Sequence, residues 1–180
     1  FGTWPNDTAI PDEIRSFRQN LTPLVVDGKK NPYGRMFWGG APEGWEDRTR
    51  TVRSGLCLTT HGHIAYLYGA SVDHEALAVA MQRLDCEYGL HLDMNQGHTG
   101  LEFYYAASAT ELRTLSMPLD DMWQAEGEVE DAPGFRFRGR RMFKTMQLMN
   151  FPRYIRREAR DFFYLTQKHL LPGLPLPSVG

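Results

Sequence analysis

Apolar and polar positions alternate most clearly near the middle of the chain, where they predict a β-hairpin. The apolar segments GLCL and IAYLYG flank the polar run TTHGH at 59–63. Two short apolar runs separated by a few polar residues that include glycine are typical of antiparallel strands joined by a tight turn. A shorter run, PLVV, ends at Asp27 and Gly28 and predicts another brief strand and turn.

After the hairpin the apolar spacing changes from two to three and four residues. Leu77, Ala80, Met81 and Leu84 follow this spacing and predict an amphipathic helix of about three turns. Asp73 precedes the run and is the predicted N-cap, because an aspartate there accepts a hydrogen bond from the first turn. The segments YGLHLDM and LEFYYAAS then return to strand patterns.

This order of elements predicts an α+β fold in which a mixed β-sheet packs against helices. Residues 1–117 form the predicted main domain, and the acidic, turn-rich residues 118–134 form a predicted linker. Residues 135–180 form the predicted C-terminal extension, which begins with a short strand, FRFRGRR, and continues as a basic helix. Asn150 is the expected N-cap of that helix, with Pro152 early in its first turn.

Composition adds little to this picture, but the distribution of charge does. The 180 residues are 42% apolar and carry a net charge of −2, so the total charge does not favour nucleic acid binding. Residues 135–170 carry +8, however, which predicts docking on an anionic membrane surface or an acidic protein partner. In the favoured alternative, the apolar side of the helix packs on the main domain. The arginines are then solvated, or they pair with the EGEVED segment.

Two further features of the sequence bear on where the protein works. Cys57 and Cys86 form either one disulfide bridge or two reduced core thiols, and the spacing does not decide between them. No run of about 18 apolar residues is present, so no membrane span is predicted. The chain begins FGTWPND, without an initiator methionine. We therefore expect a processed product or fragment whose site includes residues upstream of Phe1.

The densest group of reactive side chains lies between YGLHLDM and LEFYYAAS. It consists of His91, Asp93, Asn95, Gln96, His98, Thr99 and Glu102. Strand alternation places His91 and Asp93 on one face, and Gly97 and Gly100 are expected to let a ligand approach the backbone. The alternative is structural, because Asn and Thr side chains also stabilise turns by bonding their own backbone.

Arg53 opens the first hairpin strand and is the predicted cation of the site. The planar guanidinium fork suits a phosphate or carboxylate, although a solvated edge residue is the alternative. If the two strand ends are adjacent, Arg53 and Asp93 face one cleft. His91, Asp93 and His98, with oxygen from Asn95, also offer ligands for a divalent cation, but their spacing matches no established metal signature.

The segments TVRSGLCLTTHGHIAYLYG and YGLHLDMNQGHTGLEFY, separated by a helix, resemble the phosphodiester glycosidase family. Arg53, Ser54 and Gly55 match the family's element that opens a hairpin. Leu90, Leu92 and Asp93 match its Leu-Asn-Leu-Asp strand, with His91 in place of the asparagine. The family's triple-glycine turn is MNQGHTG here. The resemblance covers residues 15–105.

The resemblance implies hydrolysis of the bond between a sugar's anomeric carbon and a phosphate oxygen, without an organic cofactor and outside the cytoplasm. Arg53 would bind the phosphate, and Asp93 would act as nucleophile, base or electrostatic stabiliser. His98 is an acid candidate, and Glu102 is the weaker second catalytic carboxylate, with simple exposure to solvent as the alternative. Substrate contacts are expected from Ser54, His91, Asn95, Gln96 and Thr99. The altered turn leaves an inactive glycan-binding or phosphoglycan-binding module as the competing hypothesis.

Overall fold

The computed structural model describes residues 8–12, 14, 23–30, 49–112, 123–158 and 164–166. They form two antiparallel sheets and one helix. The five-stranded sheet has the order β2-β1-β5-β3-β4, and the three-stranded sheet has the order β6-β8-β7. The elements are β1 Val25–Val26, β2 Lys29–Lys30, β3 Thr51–Thr59, β4 Ile64–Val72, α1 His74–Arg83, β5 Cys86–His91, β6 Glu102–Ser108, β7 Ala125–Glu128 and β8 Phe135–Arg141.

The predicted hairpin and first helix are confirmed. β3 and β4 pair antiparallel along their length, and Gly62 lies in the connecting turn with a φ of +78° that favours glycine. The Asp73 carboxylate accepts a hydrogen bond from the Ala76 backbone N–H at 2.7 Å, as an N-cap should. These elements were predictable because their signals are local in the sequence.

The predicted α+β fold with a mixed sheet is wrong. All strand pairs are antiparallel, and α1 is the one helix among the described residues. β6 does not extend the first sheet, because it pairs along its whole length with β8. The result is a mostly β structure in which one short helix covers one sheet.

The predicted C-terminal helix is also wrong for residues 150–158, which form turns. The backbone N–H groups of Arg153 and Tyr154 do not enter a helical ladder. They donate instead to the Tyr104 hydroxyl, at 3.1 Å, and to the Glu102 carboxylate, at 3.1 Å. Tertiary partners on β6 therefore replace the hydrogen bonds that a helix would have made. Residues 159–163 and 167–180 of the predicted extension lie outside the described residues.

The three-stranded sheet crosses the predicted domain boundaries. β8, from the predicted extension, lies between β6 of the main domain and β7 of the predicted linker. Two β8 arginines pair with β7 carboxylates, Arg136 with Glu128 at 3.9 Å and Arg138 with Glu126 at 3.7 Å. For these residues, the predicted alternative in which the arginines pair with the acidic segment is confirmed.

The core lies between α1 and one face of the five-stranded sheet. Leu77, Ala78 and Met81 are buried there, and Cys57 forms a disulfide with Cys86 within the same cluster. The choice between a bridge and two thiols is therefore settled for this structure. No helix among the residues described has the length and hydropathy needed to cross a bilayer.

Glycines in two neighbouring strands let α1 approach the sheet closely. A Cβ at Gly55 would lie 2.3 Å from Met81 Cε, and one at Gly89 would lie 2.5 Å from Met81 Sδ. Both distances are too short for real atoms, so the Met81 side chain occupies the space that these strands leave free. This packing fixes the position of β5, which leads directly into the polar turn.

Candidate functional site

The turn that follows β5 is held together by its own polar groups. Asp93 Oδ1 accepts hydrogen bonds from the backbone N–H and the side-chain amide of Asn95, each at 2.8 Å. The Thr99 hydroxyl, only 2% exposed, lies 2.8 Å from the Asp93 carbonyl and 2.9 Å from the Asn95 carbonyl. Gln96 is exposed. For Asn95 and Thr99 the geometry supports the turn-stabilising alternative.

Residues 149–150 of the chain pack against the two glycines of the turn, Gly97 and Gly100. A Cβ at Gly97 would lie 2.9 Å from Asn150 Nδ2, and one at Gly100 would lie 2.0 Å from Met149 Sδ. The Asn150 backbone N–H also donates to the Gly97 carbonyl at 3.1 Å. The expectation that a ligand approaches these glycines is therefore not met, because the 149–150 segment already occupies that position.

The segments that carry Arg53 and Asp93 are adjacent, which meets the condition set for a shared cleft. The Leu92 backbone N–H donates to the Ser54 carbonyl at 2.9 Å, and the buried Ser54 hydroxyl donates to the Asp93 carbonyl at 3.3 Å. Ser54 therefore binds the start of the turn. Its hydroxyl is directed at the protein's own backbone, where it helps to hold Asp93 at the end of β5.

The Arg53 side chain does not line an open cleft. It is 1% exposed, and its Nε and Nη2 donate to the carbonyls of Val72, at 3.0 Å, and Thr49, at 2.7 Å. Its Nη1 lies 3.3 Å from His91 Nε2. An arginine carries five N–H donors on three nitrogens. All three nitrogens of Arg53 already contact the chain, and Nη1 also lies 3.7 Å from Met94 Sδ, so the arrangement supports a positioning role for Arg53.

His91 is the partner of Arg53 in this buried pair. Burial, followed by the positive charges of Arg53 and His74, lowers the pKa of His91 to about 3. An arginine can only donate, so Nε2 of the neutral ring accepts and Nδ1 carries the proton. His91 therefore stays uncharged near neutral pH and acts structurally in this arrangement. It does not serve there as an acid or base.

The Glu102 carboxyl group bonds other parts of the chain, so the alternative in which it simply faces solvent does not apply. Its Oε2 accepts hydrogen bonds from the Tyr104 hydroxyl and from the backbone N–H groups of Arg153, at 3.4 Å, and Tyr154, at 3.1 Å. Its Oε1 is buried and has no hydrogen-bond partner among the described residues. Desolvation by this burial raises the pKa of Glu102, which favours a carboxylic acid at Oε1.

Tyr154 connects Glu102 with the turn. Its backbone N–H donates to Glu102, and its hydroxyl donates to the His98 carbonyl at 3.2 Å. Burial raises the pKa of Tyr154 more than the positive charge of Arg153 lowers it. The phenol therefore remains protonated and donates to the turn that carries Asp93. We call Asp93, His98, Glu102 and Tyr154 the strand-end site.

Sequence reasoning missed Tyr154 and its neighbour Arg153. The Arg153 guanidinium bonds the Glu158 carboxylate at 2.6 Å and the Gly97 carbonyl at 3.1 Å, which ties this segment to the turn. Both residues lie about fifty positions after the turn, in a stretch interpreted as a helix. Their only sequence signal is an aromatic residue among arginines, which does not reveal a partner.

The residues predicted as metal ligands do not assemble into a metal site in the described structure. Among the residues described, no group of three or more His, Cys, Asp or Glu side chains has the arrangement needed to hold a metal ion. His91 Nε2 contacts Arg53, and Asp93 Oδ1 holds Asn95. A divalent cation therefore has no set of converging ligands in this part of the chain.

Comparison with known proteins gives no match, whether with family models, curated proteins or solved structures. The resemblance to phosphodiester glycosidases therefore depends on the two short motifs around Arg53 and Asp93. We therefore infer the function from the geometry of the strand-end site together with this resemblance.

Proposed function

We propose that the chain is a hydrolase that cleaves glycosyl phosphodiesters, between the anomeric carbon and a phosphate oxygen. The observation that carries this proposal is a pair of carboxyl groups, Asp93 in the turn and Glu102 on β6, with Tyr154 bonded to Glu102 and to the His98 carbonyl of that turn. Both residues are half-buried, but Oε1 of Glu102 is fully enclosed, and burial raises the pKa of Glu102. Two carboxyl groups in unlike surroundings are the usual basis of acid and nucleophile roles in glycoside cleavage. The choice of a phosphodiester follows from the resemblance.

In this proposal the two carboxyl groups have different roles. The Asp93 carboxyl group stabilises the positive charge that develops at the anomeric carbon, or attacks that carbon directly, and a water molecule then forms the new bond to that carbon. Glu102 holds a proton on Oε1 and donates it to the departing phosphate oxygen. Because phosphate leaves readily, this proton transfer is needed less than in an ordinary glycoside. His98 is the second candidate for the acid.

The remaining residues of the motif support these two groups. Arg53 and His91 form the buried pair beneath the end of β3, and Ser54 holds the Asp93 backbone. Asn95 and Thr99 stabilise the turn on which Asp93 lies. Arg153 adds positive charge beside Tyr154, with its guanidinium 5.7 Å from the tyrosine ring. We therefore assign Arg53 to positioning and not to phosphate binding.

Hydrolysis of UDP-N-acetylglucosamine and of an N-acetylglucosamine-phospho-mannose analogue tests the proposal. Wild type is expected to release free sugar, and Asp93→Asn to lose most of this activity. Asp131→Asn, which removes an exposed carboxylate of the β7–β8 connection, is the matched control and should keep it. Full activity in Asp93→Asn would remove Asp93 from the mechanism, and a folded wild type that releases no sugar would refute the proposed hydrolysis.

A glycan-binding or phosphoglycan-binding module without turnover is the second candidate. The observation that favours it is the closed state of the turn, in which Asp93, Asn95 and Thr99 bond one another. Met149 and Asn150 also fill the positions beside the turn glycines. Saturable binding of the same phosphodiester with no sugar released over hours would support this candidate.

A further inference from the structure

A positively charged pocket opens at the end of β8. Arg140, Arg141 and Lys144 line a cavity of about 400 Å³, together with Gln124 and the apolar Met142 and Phe143. Among the described residues, those that line this cavity include no carboxylate. A volume of several hundred Å³ is typical of sites for small organic ligands. The pocket therefore has the size and charge for a small anionic molecule.

The strand pairing explains why the positive charge is concentrated there. Arg138 of β8 lies opposite Glu126 of β7, and Arg136 lies opposite Glu128, so two rungs of the sheet pair a cation with an anion. Ala125 lies opposite Gly139, which places Gln124 at the next rung, opposite Arg140. On the β7 side the series of acids thus ends in a neutral amide, while on the β6 side Phe103 lies opposite Arg140 and Glu102 lies opposite Arg141. Within the described part of the chain, no carboxylate lies within ion-pair distance of Arg140 or Arg141.

Arg141 contributes a hydrogen-bond donor that lacks an acceptor. Its Nη1 lies 3.5 Å from the Gln124 side-chain oxygen. Its Nε is buried, and the described residues provide no partner for it. A buried donor without an acceptor is costly. Arg141 also lines the cavity, so a small shift of its guanidinium toward a bound oxyanion would give this donor an acceptor.

Aromatic rings hold both guanidinium groups before any ligand binds. The Arg140 guanidinium lies 4.7 Å from the centre of the Phe103 ring, and that of Arg141 lies 4.6 Å from the centre of the Phe151 ring. Contacts of this kind restrict long side chains without neutralising them. Less freedom is then lost on binding, and each planar fork remains suited to a tetrahedral oxyanion.

We propose that this pocket binds a small organic phosphate or sulfate ester. Arg140 and Arg141 take the oxyanion, with Lys144 adding charge, and Met142 and Phe143 contact the apolar part of the ligand. The proposal does not depend on hydrolysis at the strand-end site, because none of these lining residues belongs to it.

Calorimetric titration of the full chain with phenyl phosphate, phenyl sulfate, inorganic phosphate and phenol tests the proposal. We expect saturable binding of one equivalent of phenyl phosphate or phenyl sulfate, and no binding of uncharged phenol. Comparison of the two esters and of inorganic phosphate identifies the preferred head group. Arg140→Gln combined with Lys144→Gln should weaken ester binding by about tenfold or more, since charge-assisted hydrogen bonds are lost.

Two further variants separate a specific site from general attraction. Arg136→Gln removes one positive charge from the same strand, at a rung that already has an acid, and should change affinity less than about twofold. Gln124→Glu continues the series of acids to Arg140 and should abolish binding without removing a cation. An equal loss in Arg136→Gln and in the double variant would overturn the proposal, as would unchanged binding in Gln124→Glu or wild-type heats that never saturate.

Discussion

Replacing Arg53 with methionine separates a positioning role from a phosphate-binding role. Methionine keeps much of the volume of the arginine stem but has no donors. In the described structure it would leave the carbonyls of Val72 and Thr49 without the bonds that they accept at 3.0 and 2.7 Å. The buried imidazole of His91 would also lose its donor at 3.3 Å. The substitution should therefore lower the stability of the fold, and any effect on ligand binding should follow from that loss.

The two bonds to carbonyls set the size of the effect. A hydrogen bond from a charged donor contributes about 1.5–3 kcal/mol, so two would contribute about 3–6 kcal/mol. Methionine avoids the cost of keeping an arginine away from water, which offsets part of this loss. We expect the free energy of unfolding to fall by about 3 kcal/mol. The pKa of His91 should rise at the same time, because a nearby positive charge is gone.

Urea unfolding followed by tryptophan fluorescence measures the first effect, and NMR titration of the histidine rings measures the second. Arg50→Met is the matched control, since Arg50 is exposed and, among the described residues, its guanidinium bonds the Ser71 carbonyl alone. Its loss should cost less than about 1 kcal/mol. Arg53→Lys keeps the charge but not the fork, and it should fall between wild type and Arg53→Met.

One result would refute this reasoning. If Arg53→Met unfolds within about 1 kcal/mol of wild type and yet no longer binds a sugar phosphodiester that wild type binds, Arg53 contacts the ligand. The enclosed arrangement would then not be the state that binds substrate. The role implied by the resemblance would replace the positioning role.

The other predictions concern pH and packing. Since burial raises the pKa of Glu102 above its ordinary 4.5, the unfolded chain releases this proton first. The free energy of unfolding should then fall as pH rises above about 4.5. Urea unfolding of Glu102→Gln at several pH values should lack this fall. His91 has the opposite sign: its pKa is about 3 in the folded chain against an ordinary 6.5. The free energy of unfolding should therefore fall as pH drops from about 6.5 toward 3. In His91→Gln the contribution of this histidine to the pH dependence should be absent. Gly100→Ala places a methyl group 2.0 Å from Met149 Sδ and should cost about 1–3 kcal/mol, a loss that Met149→Ala in the same chain should partly restore. Equal thermal stability of the single and double variants would contradict this packing.

Elements with a local signal could be predicted from the sequence. The hairpin and α1 follow from periodicity over about ten residues, and Asp73 is an N-cap because of its immediate neighbours. The polar turn was identified correctly as a turn for the same reason. That β6 and β8 are strands was also predictable from their composition.

Pairing between distant segments could not be predicted in this way. No local pattern indicates that β8 bonds to β6, or that Tyr154 donates to Glu102 across 52 positions. The burial of Arg53 also depends on such partners, since the Val72 carbonyl and His91 come from other parts of the chain. The spacing after Asn150 suits a helix, but bonds to β6 compete with the helical ladder and replace it. Roles in the site depend on these same contacts, which explains why the motif alone does not reveal the partners that enclose Arg53 and Glu102.

The central position of β8 has a consequence for any shortened form of this protein. A fragment that ends near residue 117 would keep β6 but lose its partner, whose pairing now covers Glu102 to Ser108. The released edge would carry EFYYAAS, a sequence with neighbouring aromatic residues and a single charge. Bare strands of this kind associate with one another. A fragment that contains only the segment resembling a known family should therefore aggregate. In the full chain the arginine-rich strand β8 covers this edge of β6.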